Sequence, residues 1–365
     1  MLRSASAVAP APLRLPLADP RRRAFGLLAA ALLVQVTVVM GTIVVFGALH
    51  HRQMADFHVM RDAAREILQG RSGGFVYPPP SAFLLIPFTF LPYPAAAAIW
   101  VALILASIPL MLLAVGVRDW RCHVLTLLAA STLAVVGAGS LSAFLALGAA
   151  LLWRFRDRKI VAALLVGAIV VAKLYLWPLL LWLVAIRRAG TAALGFATAA
   201  GLALFGWAIT GFAGLTQYPH RISSVAALEQ SQSYSPVAFA LSLGASTRVG
   251  QLLALATGGA LLAAVFRVAR GADGERRSFV LAIAATFAFT PISWLHYFVL
   301  LAVPIALTSP ELAPLWFVPL GFWALPMKSG GELWRIVLAG VLTATIVAVA
   351  GRRSSSPTAG GRLRH

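Results

Sequence analysis

The sequence predicts an all-α protein that crosses a membrane many times, and three observations carry that prediction. Of the 365 residues, 60% are hydrophobic and 11% are charged, with a mean hydropathy of +0.88. A soluble chain of this size carries roughly 25% charged residues, so a cytosolic enzyme or a DNA-binding protein is excluded. The apolar residues gather in runs of the length a helix needs to traverse a hydrocarbon core. Finally, 30 Lys and Arg stand against 11 Asp and Glu, a formal charge of +19, in short clusters between those runs. That arrangement fits the positive-inside rule better than the basic face of a nucleic-acid binder.

Residues 1–24 read as a disordered, basic cytoplasmic tail rich in arginine and proline. No signal peptide is expected, because the apolar run that follows is too long and lacks a small-residue cleavage pattern. A single transmembrane domain follows at 25–350, opening with a full-length span at 25–49 and a first extracytoplasmic loop at 50–80. Further crossings are expected at 95–117, 122–137, 140–153, 160–172, 174–186, 191–211, 251–267, 278–292, 297–308, 312–327 and 334–350, with a second large outer loop at 212–250. This gives ten to twelve membrane helices, several of them short, with both termini in the cytoplasm. The tail at 351–365 is low-complexity and expected to be disordered.

The basic residues orient these segments. Twenty-one of the 30 fall in loops assigned to the cytoplasm, whereas acidic residues divide almost evenly, as expected when only Lys and Arg carry the signal. The rule also decides between one long helix at 160–186 and a helical hairpin with Lys173 at its tip. The hairpin keeps the clusters 154–159 and 187–188 on one side and is preferred. No internal repeat of the kind found in many transporters is evident.

Chemistry in such a chain needs ionisable groups where bilayer meets water. In the first outer loop, Phe57, Met60, Ala64, Ile67 and Leu68 recur at helical spacing, which predicts an amphipathic interfacial helix stopped by Gly70. Arg61, Asp62, Arg65 and Glu66 read as its solvated charged face. Asp56 opens the helix and either caps it or acts as a base at the membrane surface. Three consecutive prolines, Pro78 to Pro80, predict an extended stretch before a short apolar segment. Lys173 interrupts an apolar run, a costly placement that marks function unless the side chain snorkels. His296 is a site candidate, or a buried histidine satisfied by a backbone carbonyl. His58, Tyr77, Tyr175, Trp294, Tyr297, His220 and Arg221 are further substrate-binding candidates, the last two in the 212–250 loop. The lone Cys122 excludes an intramolecular disulfide and any multi-cysteine metal site. No metal-ligand spacing, Gly-rich phosphate loop or serine nucleophile elbow stands out, and no cofactor is expected.

Asp56-Phe57 opening that helix, Gly70 at its end, Tyr77-Pro78-Pro79, an apolar run to Leu91-Pro92 and Ile99-Trp100 together resemble the N-terminal region of family 87 glycosyltransferases. Ala172-Lys173-Leu174-Tyr175-Leu176-Trp177-Pro178 and Pro291-Ile292-Ser293-Trp294-Leu295-His296-Tyr297 resemble the same family. The resemblance, over roughly 25–310, implies a GT-C-like bundle that takes a hexosyl unit, mannosyl as in the family's polyprenol-phosphate-mannose-dependent mannosyltransferases, from a polyprenyl phosphate on the extracytoplasmic face. The acceptor would be a lipid or glycan, and the other partners membrane lipids, with no nucleic acid. The family pattern implies Asp56 as general base, His296 near the donor phosphate or assisting at the acceptor, and inversion without a metal. Chemistry adds Lys173 as the cation facing the donor phosphate. Gly139-Ser140-Leu141-Ser142 departs from the family's Gly-Gln-x-Asn turn, and Leu295 stands where relatives carry a polar residue. The rival expectations are a transporter or lipid-linked-sugar flippase, and a non-catalytic scaffold. Convergence of Asp56, Lys173 and His296 in one outward-facing cavity favours the transferase.

Overall fold

A computed structural model describes residues 41–42, 46–47, 54–70 and 77–352. The tail at 1–24 and most of the span expected at 25–49 lie outside the described residues, as do 353–365. Internal contacts divide the chain into Met1–Thr42 and Ile43–His365. Of the first unit only Gly41 and Thr42 are described, both helical, and everything below concerns the second.

Every regular element among the described residues is helical, as the composition predicts. The outer loop gives α1 (Ala55–Leu68), α2 (Pro79–Phe83) and α3 (Ile86–Thr89). The bundle follows as α4 (Tyr93–Ala114), α5 (Trp120–Leu127), α6 (Ala130–Ala138), α7 (Ser142–Arg154), α8 (Lys159–Ala172), α9 (Pro178–Ala185) and α10 (Ala189–Ile209). Next come α11 (Tyr218–Glu229), α12 (Pro236–Ser242), α13 (Thr247–Val268) and α14 (Gly274–Phe289), a 3-10 stretch Leu295–Leu301 running into α15 (Ala302–Thr308), a second 3-10 stretch Pro314–Ala324, and α16 (Leu333–Ala350).

Among the described residues, α4, α10, α13 and α16 are long and apolar enough to cross a membrane, and α5 with α6 forms a fifth candidate bent by 54°. Shorter apolar helical stretches of 10–17 residues, α7 and α8 among them, lie between these. The fold is an all-α polytopic membrane protein. Three segments differ from expectation. The span at 122–137 is broken between Leu127 and Ala130, and 212–250 is largely helical, containing α11, α12 and the start of α13. Pro79 and Pro80 are not extended but open α2, with Pro78 alone in the extended region (φ −55°, ψ 144°). The first turn of a helix has no use for their missing N–H groups.

The hairpin at Lys173 is confirmed by its feet. A continuous helix over 160–186 would separate its ends by about 40 Å, yet Arg188 Nη2 stands 2.5 Å from Asp157 Oδ1. The chain turns because Lys173 leaves helical geometry (φ −154°, ψ 105°) and Pro178 then starts α9 at its first position. On the far side α8 lies against α10 at glycines. A β-carbon on Gly167 would come within 2.6 Å of Thr198 Cβ, so only glycine permits this helix separation, as in many membrane bundles.

The loops at the feet of the hairpin form one paired end. Glu275 accepts from Arg156 Nε at 2.7 Å and from Arg188 Nη2 at 3.2 Å. Asp119 accepts from Arg121 and from the Leu312 backbone N–H. Arg276 pairs with Asp273 and donates to the Ala350 carbonyl, and Arg277 donates to Gly351. The site lies at the other end, about 20 Å away along the fourteen residues of α8.

Candidate active site

Helix α1 carries Asp56 and is placed by its apolar face. Phe57, Met60 and Ala64 are buried, and the Phe57 ring meets Phe88, Tyr93 and Trp100 at centroid distances of 5.7–6.3 Å. Met54 precedes the helix in the left-handed region (φ 69°) with no side-chain cap, and its N–H donates to the Gly137 carbonyl at 2.7 Å. Gly139 closes α6 with φ 64°, and a β-carbon there would meet Phe57 Cβ at 2.6 Å. Glycine is thus required both for the turn and for the approach of α1. Trp100 Nε1 donates to the Gly139 carbonyl at 2.9 Å and closes the same junction. Gly70 (φ 67°) ends α1 as expected.

Asp56 sits in the first turn of α1, where a carboxylate is favoured by the helix dipole, but it does not cap the helix. It turns toward the bundle instead. Arg61 corrects the sequence reading in the other direction. It is no part of a solvated face but is 4% exposed, donating from Nε to the Phe88 carbonyl at 3.1 Å and from Nη2 to the Leu91 carbonyl at 2.6 Å. It thereby ties α1 to the apolar loop that follows. Arg65 and Asp62 do pair at the surface, at 3.3 Å.

Lys173 reaches the site from the hairpin tip. Ser81 Oγ, in α2, donates to the Ala172 carbonyl at 3.0 Å and so fixes the last turn before the lysine. Lys173 does not snorkel. It is 6% exposed and its Nζ is buried with no hydrogen-bond partner. The ammonium lies 3.8 Å from the centroid of the Tyr297 ring, with Tyr77 at 5.6 Å and Tyr175 at 5.8 Å, all within cation–π range. Tyr175 stacks on Tyr297 at 5.1 Å.

His296 arrives from a third direction. Thr290 to Trp294 form a non-helical strap between α14 and the 3-10 stretch. The strap is held by the Tyr234 N–H on the Ser293 carbonyl (2.8 Å), Ser235 Oγ on the Pro291 carbonyl (2.8 Å) and the Leu295 N–H on the Met327 carbonyl (3.3 Å). His296 is 2% exposed, with Nδ1 at 3.5 Å from Met327 Sδ. Its Nε2 faces Asp56 Oδ2 at 3.7 Å, too far for a hydrogen bond, and has no hydrogen-bond partner. The Asp56 side chain keeps 23% of its surface open. The Tyr77 hydroxyl donates to it, and burial, with that carboxylate second, pushes the Tyr77 phenol well above its usual range. Tyr77 therefore stays a donor.

The structure thus joins Asp56, Tyr77, Lys173, Tyr175, His296 and Tyr297. It does not join every sequence candidate. His58 stacks on Tyr93 at 4.8 Å, Trp294 lies under Lys328 at 4.9 Å, and Lys328 pairs with Glu229 at 2.7 Å. His220 and Arg221 are exposed on α11. Tyr234 and Gln230, polar residues of the same loop, are buried, Tyr234 holding the strap through its N–H and Gln230 reaching Thr247 on α13. Ser140 and Ser142 are buried and face each other at 3.2 Å. Sequence reasoning missed Ser81 and Met327, for which no spacing or charge gave a signal.

A partly exposed carboxylate, a buried lysine amine and a buried imidazole are thus brought together at one end of an all-helical membrane bundle. The sequence model of glycosyltransferase family 87 matches residues 75–291, more than half of the 365-residue chain, and the chain belongs to that family. It is a glycosyltransferase. The match takes in Tyr77, Lys173 and Tyr175, while Asp56 and His296 stand just outside it. No curated protein and no solved structure matches.

Proposed function

We propose that the protein moves a hexosyl unit, mannosyl in the first instance, from a polyprenyl-phosphate sugar to a hydroxyl of a lipid or glycan acceptor. The observation that carries this reading is the placement of Lys173 Nζ, a buried cation without a hydrogen-bond partner, in the same cluster as a partly exposed Asp56 carboxylate. A phosphate leaving group needs its charge met, and an attacking hydroxyl needs a base. Asp56 takes the acceptor proton as the hydroxyl oxygen bonds to the anomeric carbon. The bond from that carbon to the phosphate oxygen breaks, its electron pair stays on the phosphate, and the ammonium of Lys173 stabilises that charge. Attack opposite the departing phosphate inverts the anomeric centre. His296 Nε2, beside Asp56, is a second group for the reacting hydroxyl to bond.

The positive-inside rule supports placing the paired end, where Arg121, Arg156, Arg188, Arg276 and Arg277 gather, in the cytoplasm of a cell-membrane protein with both termini inside. The Asp56 cluster then faces the extracytoplasmic side, where polyprenyl-linked sugars with an outward headgroup are met. The test is transfer of labelled sugar by the purified protein across a panel of polyprenyl-phosphate sugars and lipid acceptors. Asp56→Asn is expected to lower the rate by about 10²–10⁴-fold while the variant keeps its thermal midpoint. Full transfer by a folded Asp56→Asn protein overturns the assignment, and cysteine labelling of 54–70 from the cytoplasmic side reverses the topology.

A further inference from the structure

A cavity of about 270 Å³ lies at the paired end, where α9 and α13 finish and α14 begins, lined by Ala185, Ile186, Arg187, Ala269, Arg270 and Glu275. It is roughly nine times the volume of one water in the liquid and lies across the bundle from Asp56. We propose that this cavity binds the phosphate headgroup of an anionic phospholipid from the adjoining leaflet.

Charge is the first support. Glu275 is already shared by Arg156 and Arg188, and Asp157 is taken by Arg188, whereas Arg187 and Arg270 form no ion pair among the described residues. Two guanidiniums therefore line a cavity whose one carboxylate is neutralised from outside it. Arg188 adds Nη1, which is buried without a hydrogen-bond partner.

Backbone geometry is the second. Helix α9 ends with the Arg188 N–H on the Leu183 carbonyl and the Arg187 N–H on Val184, the paired closure that places its penultimate residue in the left-handed region. Among the described residues four other helices close with the same two bonds, and there that residue is Gly116, Gly139, Gly211 or Gly244, with φ between 62° and 92°. In α9 it is Arg187, at φ 64°. A β-carbon is disfavoured there, so the chain accepts strain to set a guanidinium at the mouth of the cavity.

The third support selects a lipid over a soluble anion. The turns leading into the cavity expose apolar side chains, Val184 at 38% and Phe266 at 40%, on helices apolar enough to lie in a membrane. A basic pocket at the end of membrane helices, continuous with apolar surface, suits a headgroup with its acyl chains.

The test uses the full chain in detergent, with bound lipid counted by native mass spectrometry. Phosphatidylglycerol should be retained over phosphatidylcholine of the same chain length, and Arg187→Gln with Arg270→Gln should weaken it about fivefold per arginine. The charge-keeping pair Arg187→Lys with Arg270→Lys should retain it, as should Arg248→Gln at the opposite end of α13. Melting curves identify any variant that fails to fold. Unchanged binding in the double glutamine variant, or equal loss in Arg248→Gln, overturns the proposal. Inorganic phosphate bound at the same arginines more tightly than the lipid assigns the cavity to a soluble anion and overturns the lipid.

Discussion

The two ends of the bundle handle charge in opposite ways. At one end Asp119, Asp157, Asp273 and Glu275 are each closed on an arginine, and guanidiniums also take carbonyls that the helix ends leave open. At the other, Lys173 Nζ and His296 Nε2 are buried without hydrogen-bond partners, and Asp56 stands 3.7 Å from the imidazole. Buried polar groups are almost always satisfied; at the first end these four carboxylates are, with the Arg188 Nη1 donor left over, so that end is built mainly for stability. The second keeps unmet bonding capacity, which a substrate can use. Substitutions should therefore separate stability from chemistry by end.

After Asp56→Asn, the largest effect is expected at Lys173. Lys173→Met keeps the length of the side chain and removes the ammonium, so transfer should fall about 10²–10³-fold. The thermal midpoint should hold or rise, because an apolar side chain suits the buried tyrosine cage better than an unpaired amine. A lower midpoint with transfer intact makes the lysine structural and erases the contrast between the ends. Gly139→Ala comes next and should act on both properties. Its β-carbon would press on Phe57 at 2.6 Å, costing about 1–3 kcal/mol, with about 1 kcal/mol more for the left-handed backbone. Activity should drop with it, since Phe57 carries Asp56. A stable Gly139→Ala protein with full transfer shows that α1 is placed by something else.

Much of this was legible in the sequence, for physical reasons that vary by residue. The helical class and the hairpin at Lys173 followed from apolar run length and from keeping 154–159 and 187–188 together, because both rest on the bilayer as solvent. Asp56, Lys173 and His296 stood out because charge is scarce in such a chain. Arg61 was misread because local spacing shows that it shares a face with Asp62 and Arg65, but not that the carbonyls of Phe88 and Leu91 would need its donors. The break at Leu127–Ala130 was invisible because hydropathy is unchanged across it. Met327 and Ser81 reach the site only through tertiary folding.

At the paired end, Glu275→Gln should cost stability and leave chemistry alone. Removing one member of a buried pair costs about 3–5 kcal/mol. The Glu275 side chain is 38% exposed, so screening by water lowers the loss to roughly 1–2 kcal/mol. Chemical unfolding should show that loss, shrinking at high salt, with transfer per folded molecule unchanged. A fall in transfer without a fall in stability would mean that the two ends are coupled.

The smallest effect should come from Arg187→Gly, and its sign is what matters. Relief of the left-handed strain favours the variant by about 1–2 kcal/mol, and the greater freedom of glycine in the unfolded chain takes back about 0.4–1 kcal/mol. The net is a gain of roughly 0.5–1 kcal/mol, read as a raised thermal midpoint in lipid-free detergent. If the arginine serves a headgroup, added phosphatidylglycerol should raise the wild-type midpoint more than the variant's and so narrow or reverse the gap. A midpoint that falls in lipid-free detergent means that the Arg187 side chain holds the loops together, and the paired end is then a structural lock throughout.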